Sequence, residues 1–93
     1  MIERSADRLN VSGAMVMDNA RALLGEGCAQ MTKGDVVFDL SAVAEADSSA
    51  VAVMLGWLRH AVLIDARVCF SGVPAGVLSL AELYGISALL PQA

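Results

Sequence analysis

Aromatic side chains are scarce in this 93-residue chain, which holds one Trp, one Tyr and two Phe. That scarcity argues against an aromatic-lined cleft of the kind that reads carbohydrates or nucleobases. Basic residues are also few and never clustered, and ten acidic residues against six Lys and Arg leave a formal charge of -4. The phosphate-neutralising footprint of nucleic-acid binding is therefore missing. Cysteine occurs twice, at Cys28 and Cys69, with no Cys-x-x-Cys spacing, and His60 is the only histidine. These are too few ligands for a zinc site, so no metal or cofactor is expected and both cysteines read as reduced packing residues.

Long apolar runs are lacking too. The uncharged, strongly apolar stretch from Ser48 to Leu58 is about half of what a bilayer crossing needs. The N-terminus Met1-Ile2-Glu3-Arg4 carries charge where a signal peptide would be apolar. A cytoplasmic protein without direct membrane insertion is expected. Catalytic signatures are absent as well: neither serine of the Ser48-Ser49 pair lies in a Gly-x-Ser-x-Gly elbow, and no glycine loop is built to cradle phosphate. The chain is not expected to be an enzyme.

What the chain does have is 57% hydrophobic residues, mostly Ala, Val, Leu and Met. Its length suits one domain spanning residues 1–93, whose small core must be efficient. Asp7 to Gly13 alternates polar and apolar residues and predicts an edge strand with Leu9 and Val11 on one face. Asp18 then predicts an N-cap for a helix running to about Met31, with Ala20, Leu23 or Leu24, Gly27 and Met31 at helical spacing. Asp35 to Leu40 is a near-continuous apolar run, the pattern of a central strand covered on both faces.

Asp47-Ser48-Ser49 opens the next helix, capped by Asp47 or Ser48, and Val51, Leu55, Leu58 and Val62 form the stripe expected to face the core. Val53, Gly56, Trp57 and His60 fall on another face that looks unfinished. Trp is concentrated at interface hot spots, and Gly56 would let a partner approach closely. Arg67 to Ser71 predicts a further strand, and Pro74 starts a helix carrying Val77, Leu80 or Ala81, and Tyr84, ended by Gly85. The expected order is β-α-β-α-β-α: an α/β fold with a mostly parallel sheet and helices packed on it.

Three segments carry a family resemblance: Val36-Val-Phe-Asp-Leu-Ser41, Asp47-Ser-Ser-Ala-Val-Ala-Val-Met-Leu55, and Val68-Cys-Phe-Ser-Gly-Val-Pro74 with Leu80-Ala-Glu-Leu-Tyr-Gly-Ile86. Together they resemble STAS domains over nearly the whole chain. Within that family the chain is most similar to the small cytoplasmic STAS subunit of Mla phospholipid-transport ABC complexes. That resemblance implies a STAS-like fold and a non-enzymatic accessory role: binding the ATPase subunit of the ABC transporter, and through it the membrane permease complex. The hydroxyl residue after the aspartate of that branch falls on Ser48. The anti-sigma-factor antagonists, another STAS branch, are phosphorylated at the position of Ser49; their motif carries glycines where this chain has Ala50 and Ala52. The expected partner site is thus Asp47, Ser48, Ser49, Val53, Gly56, Trp57 and His60, with Ser49 or Ser48 as a phosphorylation site in the alternative.

Overall fold

In the computed structural model, which describes residues 1–6 and 8–93, the elements run β1 (Ile2–Ser5), β2 (Arg8–Met15), α1 (Ala20–Gln30), β3 (Gly34–Ala46), α2 (Ser49–Leu63), β4 (Ala66–Ser71) and α3 (Ala75–Leu83). Short 3-10 turns precede α1 and follow α3. The sheet has the order β1-β2-β3-β4. β3 pairs in parallel with both β2 and β4, and β1 joins β2 antiparallel. This is the expected α/β architecture with a mostly parallel sheet.

β1 departs from the expected order. Its Ile2-Glu-Arg-Ser sequence holds one apolar residue, too few to show a period, yet Ile2 pairs with Val11 and is buried. β2 is therefore interior, not an edge. The expected start of that strand, Asp7, lies outside the described residues. Asp18 does not cap α1; it is exposed, and the Asn19 carboxamide instead accepts the amide of Val16 (3.0 Å) and donates to the carbonyl of Ala14 (2.8 Å). Gly85 ends α3 as expected: its φ of +73° suits glycine, and the amide of Ile86 returns to the carbonyl of Ala81 (2.9 Å).

β3 is not covered on both faces. Val36, Phe38 and Leu40 are buried, while Asp35, Val37 and Asp39 alternate to the other side and are exposed or half-buried. Parallel pairing aligns the buried set with Leu9 on β2 and with Val68 and Phe70 on β4. All buried side chains of the sheet and helices form one hydrophobic cluster. The opposite sheet face carries cross-strand ion pairs, Arg8 to Asp39 (3.0 Å) and Arg67 to Asp35 (2.9 Å). The Val-Val-Phe run reads as doubly buried only because Val37 is apolar on the polar side.

α2 is phased differently from the expected stripe. Ala50, Val51, Val53, Met54, Trp57 and Ala61 are buried; Leu55 and Leu58 are half-buried and Val62 is 81% exposed. Trp57 decides the phase. Its indole stacks on Phe38 with centroids 4.1 Å apart and planes 6° from parallel, and its N–H donates to the carbonyl of Leu24 (3.2 Å).

Candidate functional site

β3 delivers the chain to the start of α2 at Asp47, and there the backbone and one carboxylate lock the turn. The Asp47 amide donates to the carbonyl of Met15 (3.2 Å), and the Asp47 carbonyl accepts the amide of Ala50 (3.0 Å). Oδ1 accepts the amide of Ser49 (2.8 Å), and Oδ2 accepts the amide of Met17 (3.1 Å). Asp47 is thus the cap of α2 and also pins the turn that leads into α1. Ser48 already has helical φ and ψ (-61°, -20°), and its side chain makes no capping bond. Of the two readings left open by the sequence, the cap belongs to Asp47.

The Ser48 side chain is exposed, and its hydroxyl has no hydrogen-bond partner among the described residues. Ser49 is half-buried, with its amide committed to Asp47. A residue absent from the sequence-based set joins them: Met17, 75% exposed, whose amide binds the same carboxylate. Nothing in its local sequence marks Met17, because its neighbourhood with Asp47 is made by the parallel pairing of β2 with β3, where Met15 lies opposite Ala46.

Two members of the expected surface lie in the core. Val53 and Trp57 are 3% and 0% exposed, so neither is available to a partner. Gly56 is half-buried beneath α1, and a Cβ there would meet Leu24 Cδ1 at 2.6 Å. Its missing side chain serves the α1–α2 packing of this chain, not the approach of another. His60 is half-buried in the last turn of α2, about 18 Å along the helix from Ser48 at 1.5 Å per residue. The structure therefore brings together Asp47, Ser48, Ser49 and Met17, and separates them from His60.

Hydrogen bonding to the Ser49 amide first, and to the Met17 amide next, holds the Asp47 carboxyl below its ordinary value. On the open sheet face the Ser41 hydroxyl (2.6 Å) and the Ser41 amide (2.9 Å) do the same for Asp39, with a smaller contribution from Arg8. Among the described residues no group of His, Cys, Asp and Glu is placed to share a metal ion, and no helix is long and apolar enough to cross a membrane.

The Asp47 cap has a pH signature. Its folded-state value is depressed, so the ionised carboxylate favours the folded turn; that contribution is complete above the unfolded value of about 3.9 and is lost as pH falls through the lower folded value. Hydrogen exchange at the Ser49 and Met17 amides, corrected for intrinsic rates, is expected to accelerate over that acidic window while the middle of α2 stays protected. In Asp47→Asn, which keeps the carbonyl acceptor but cannot ionise, the acid step at these two amides should vanish. A step of equal size in the variant would show that another group drives it.

Comparison with known proteins agrees with this architecture. Over its whole length the chain superposes on 86% of the anti-sigma factor antagonist SpoIIAA in its unphosphorylated form, with a TM-score of 0.73 at 14% identity. Over 99% of its length it matches 83% of a Thermotoga maritima protein assigned as an anti-sigma factor antagonist (TM-score 0.75, 12% identity). A sulfate transporter family protein from Wolinella succinogenes matches 90% of the chain over 70% of its own length (TM-score 0.69, 14% identity). None of the curated protein sequences matches the chain. Residues 1–91 match the family model described as Mlab, STAS domain. The chain belongs to the STAS domain family.

Proposed function

We propose that this STAS chain is a non-enzymatic accessory subunit that docks on the ATPase of a phospholipid-transporting ABC complex through the Asp47-Ser48-Ser49 end of the fold. The reading places the chain in the cytoplasm, held at the inner membrane by the transporter. One observation carries it: Asp47 takes the Ser49 and Ala50 amides at the α2 start, so the exposed Ser48 hydroxyl is left as an unused donor and acceptor on a turn that Asp47 holds. A group held in place but unused internally loses little freedom when a partner takes it. Met17, exposed beside it, supplies apolar contact area of the adaptable kind that interfaces favour. The description of the matching family model, Mlab, STAS domain, supports this reading.

A single neutral hydrogen bond is worth about 0.5–1.5 kcal/mol. Ser48→Ala is therefore expected to weaken the complex by about two- to tenfold. Ser48→Arg, which puts a long charged side chain at the contact, should abolish recovery of the ATPase by the tagged domain from detergent-solubilised membranes. Ser48 is exposed, so the variant should keep the wild-type melting temperature. Undiminished recovery of the ATPase by Ser48→Arg would remove the site from the interface.

A second reading, an anti-sigma-factor antagonist switched at Ser49, has its own support in the geometry of the cap. The Ser49 amide is bound to Asp47 (2.8 Å), so a phosphate on Ser49 would sit beside a carboxylate that occupies the same helix N-terminus. The helix dipole favours the phosphate, and Asp47 repels it. The conflict loosens the turn and releases a partner docked there. Recovery of a serine kinase in place of the ATPase, with phosphate incorporated in wild type and not in Ser49→Ala, would select this reading.

A further inference from the structure

The sheet closes two of its edges with its own groups. At β1 the outward amide of Ile2 donates to Glu26 Oε2 (2.8 Å), and the Ile2 carbonyl accepts from Gln30 Nε2 (3.0 Å), both side chains coming from one face of α1. At β4 the C-terminal tail takes the corresponding place: the Phe70 amide donates to the carbonyl of Pro91 (2.8 Å), and the Phe70 carbonyl accepts the amide of Ala93 (2.8 Å). Unpaired edges invite other chains, and side chains or tails laid along them are how a fold prevents it.

One length of strand has no such cover. β3 runs on to Ala46, but its last pair with β4 joins Asp39 to Ser71. The chain then turns away at Gly72, whose φ is +63° and where a Cβ would meet Ser41 Cβ at 2.7 Å. From Ala42 to Ala46, β3 keeps β2 on one side and has no strand on the other among the described residues. Four of these five residues are exposed. The segment leads straight into Asp47 and Ser48.

We infer that this open edge of β3 receives an extended, basic segment of a partner protein, which adds a short strand along Ala42–Ala46 beside Ser48. The inference deepens the docking reading above and rests on it. Charge argues for the chemistry of the occupant: from Gly34 to Leu58 the chain has Asp35, Asp39, Glu45 and Asp47 and no Lys, Arg or His. Asp35 and Asp39 are neutralised by Arg67 and Arg8; Glu45 and Asp47 have no basic partner among the described residues. Self-pairing of two copies would bring Glu45 and Asp47 of each chain together on proteins that each carry a charge of -4, so like charges oppose it. Register shifts in the β2–β3 pairing between Asn10 and Ser12 and between Gly13 and Ala14 break the edge into short runs. The pairing is correspondingly brief and reversible, with main-chain bonds giving affinity and basic side chains giving selection.

The test uses isotope-labelled protein and a blocked octapeptide of alternating Lys and Val. Saturable shifts and slowed amide exchange are expected at Ala42–Ala46. Methylating alternate peptide nitrogens should weaken binding by about tenfold or more, since several main-chain bonds are lost. Glu45→Lys should weaken it by about two- to fivefold. Shifts centred elsewhere, equal binding of the methylated peptide, or no slowing at Ala42–Ala46 at saturation would overturn the inference. So would slowing at these amides that grows with protein concentration in the absence of peptide, since it would give the edge to a second copy. Because the probe is not the ATPase, pairing with the peptide alongside failure to recover an ATPase would retire the transport reading and keep the edge.

Discussion

Trp57→Ala is expected to lower the stability of the fold by about 3–5 kcal/mol, a large part of what a small domain possesses. The indole is fully buried and belongs to a three-ring aromatic cluster with Phe38 and Phe70. It contacts Phe38 at 4.1 Å and Phe70 at 6.5 Å between centroids, and these two Phe face each other across the β3–β4 pairing. Removing it leaves a cavity between α1, α2 and a sheet whose backbone is fixed by the ladder, which resists collapse of the site. It also removes the hydrogen bond that the indole N–H gives to the Leu24 carbonyl, a second bond on an acceptor already engaged within α1. The loss would appear as a lower denaturant midpoint with little change in slope. A drop below about 1 kcal/mol would mean that the core repacks around the gap. For function, the consequence is that lost partner binding in Trp57→Ala reports unfolding, whereas Ser48→Arg tests the interface itself.

The reason Trp57 reads from sequence as a surface residue is physical. α2, Ser49–Leu63, holds only Ser49, Arg59 and His60 as polar residues. With apolar side chains all round, two stripes fit the helical period equally well, and periodicity cannot select the phase. The bulkier aliphatic set, Val51, Leu55, Leu58 and Val62, looks like the core stripe, but the structure buries Ala50, Val53, Met54, Trp57 and Ala61 beside Val51. What selects this phase is a match between elements: an indole on α2, a flat Phe38 on β3 and a glycine on α1. No single segment contains that information.

Other features were legible because they are local. Gly85 as a helix stop, the alternation of Leu9 and Val11, and the strand at Arg67–Ser71 depend on residues within a few positions of each other, and the fold keeps all three. The candidate site was legible in part for the same reason. Asp47-Ser48-Ser49 is a contiguous signal for a helix start, and the structure puts a helix start there. Which residue caps it was not legible, because Asp47 is committed by Met17, thirty residues earlier, as well as by Ser49. Long-range pairing likewise hid β1, whose short charged strand is held by Val11 and by α1 side chains.

Gly27→Ala is expected to destabilise the wild-type protein but to stabilise Trp57→Ala, a reversal of sign. At Gly27 an added Cβ would lie 2.5 Å from Cε2 and 2.9 Å from Cζ2 of Trp57, and closer still to Nε1. The indole cannot retreat, since Phe38 stacks against it and its N–H is tied to Leu24. Overpacking of this kind costs about 1–3 kcal/mol. Against it stands the gain of about 1 kcal/mol from replacing a mid-helix glycine by alanine in α1. Where the clash is present it outweighs the propensity; where Trp57 is already gone only the propensity remains, and the new methyl also fills part of the cavity. A double-mutant cycle by urea unfolding should therefore give a coupling energy of about 1–3 kcal/mol, within the range for residues in direct contact. Additive effects would mean that α1 shifts to admit the methyl group, and the close approach of the two helices at Gly27 would then not be what fixes the phase of α2.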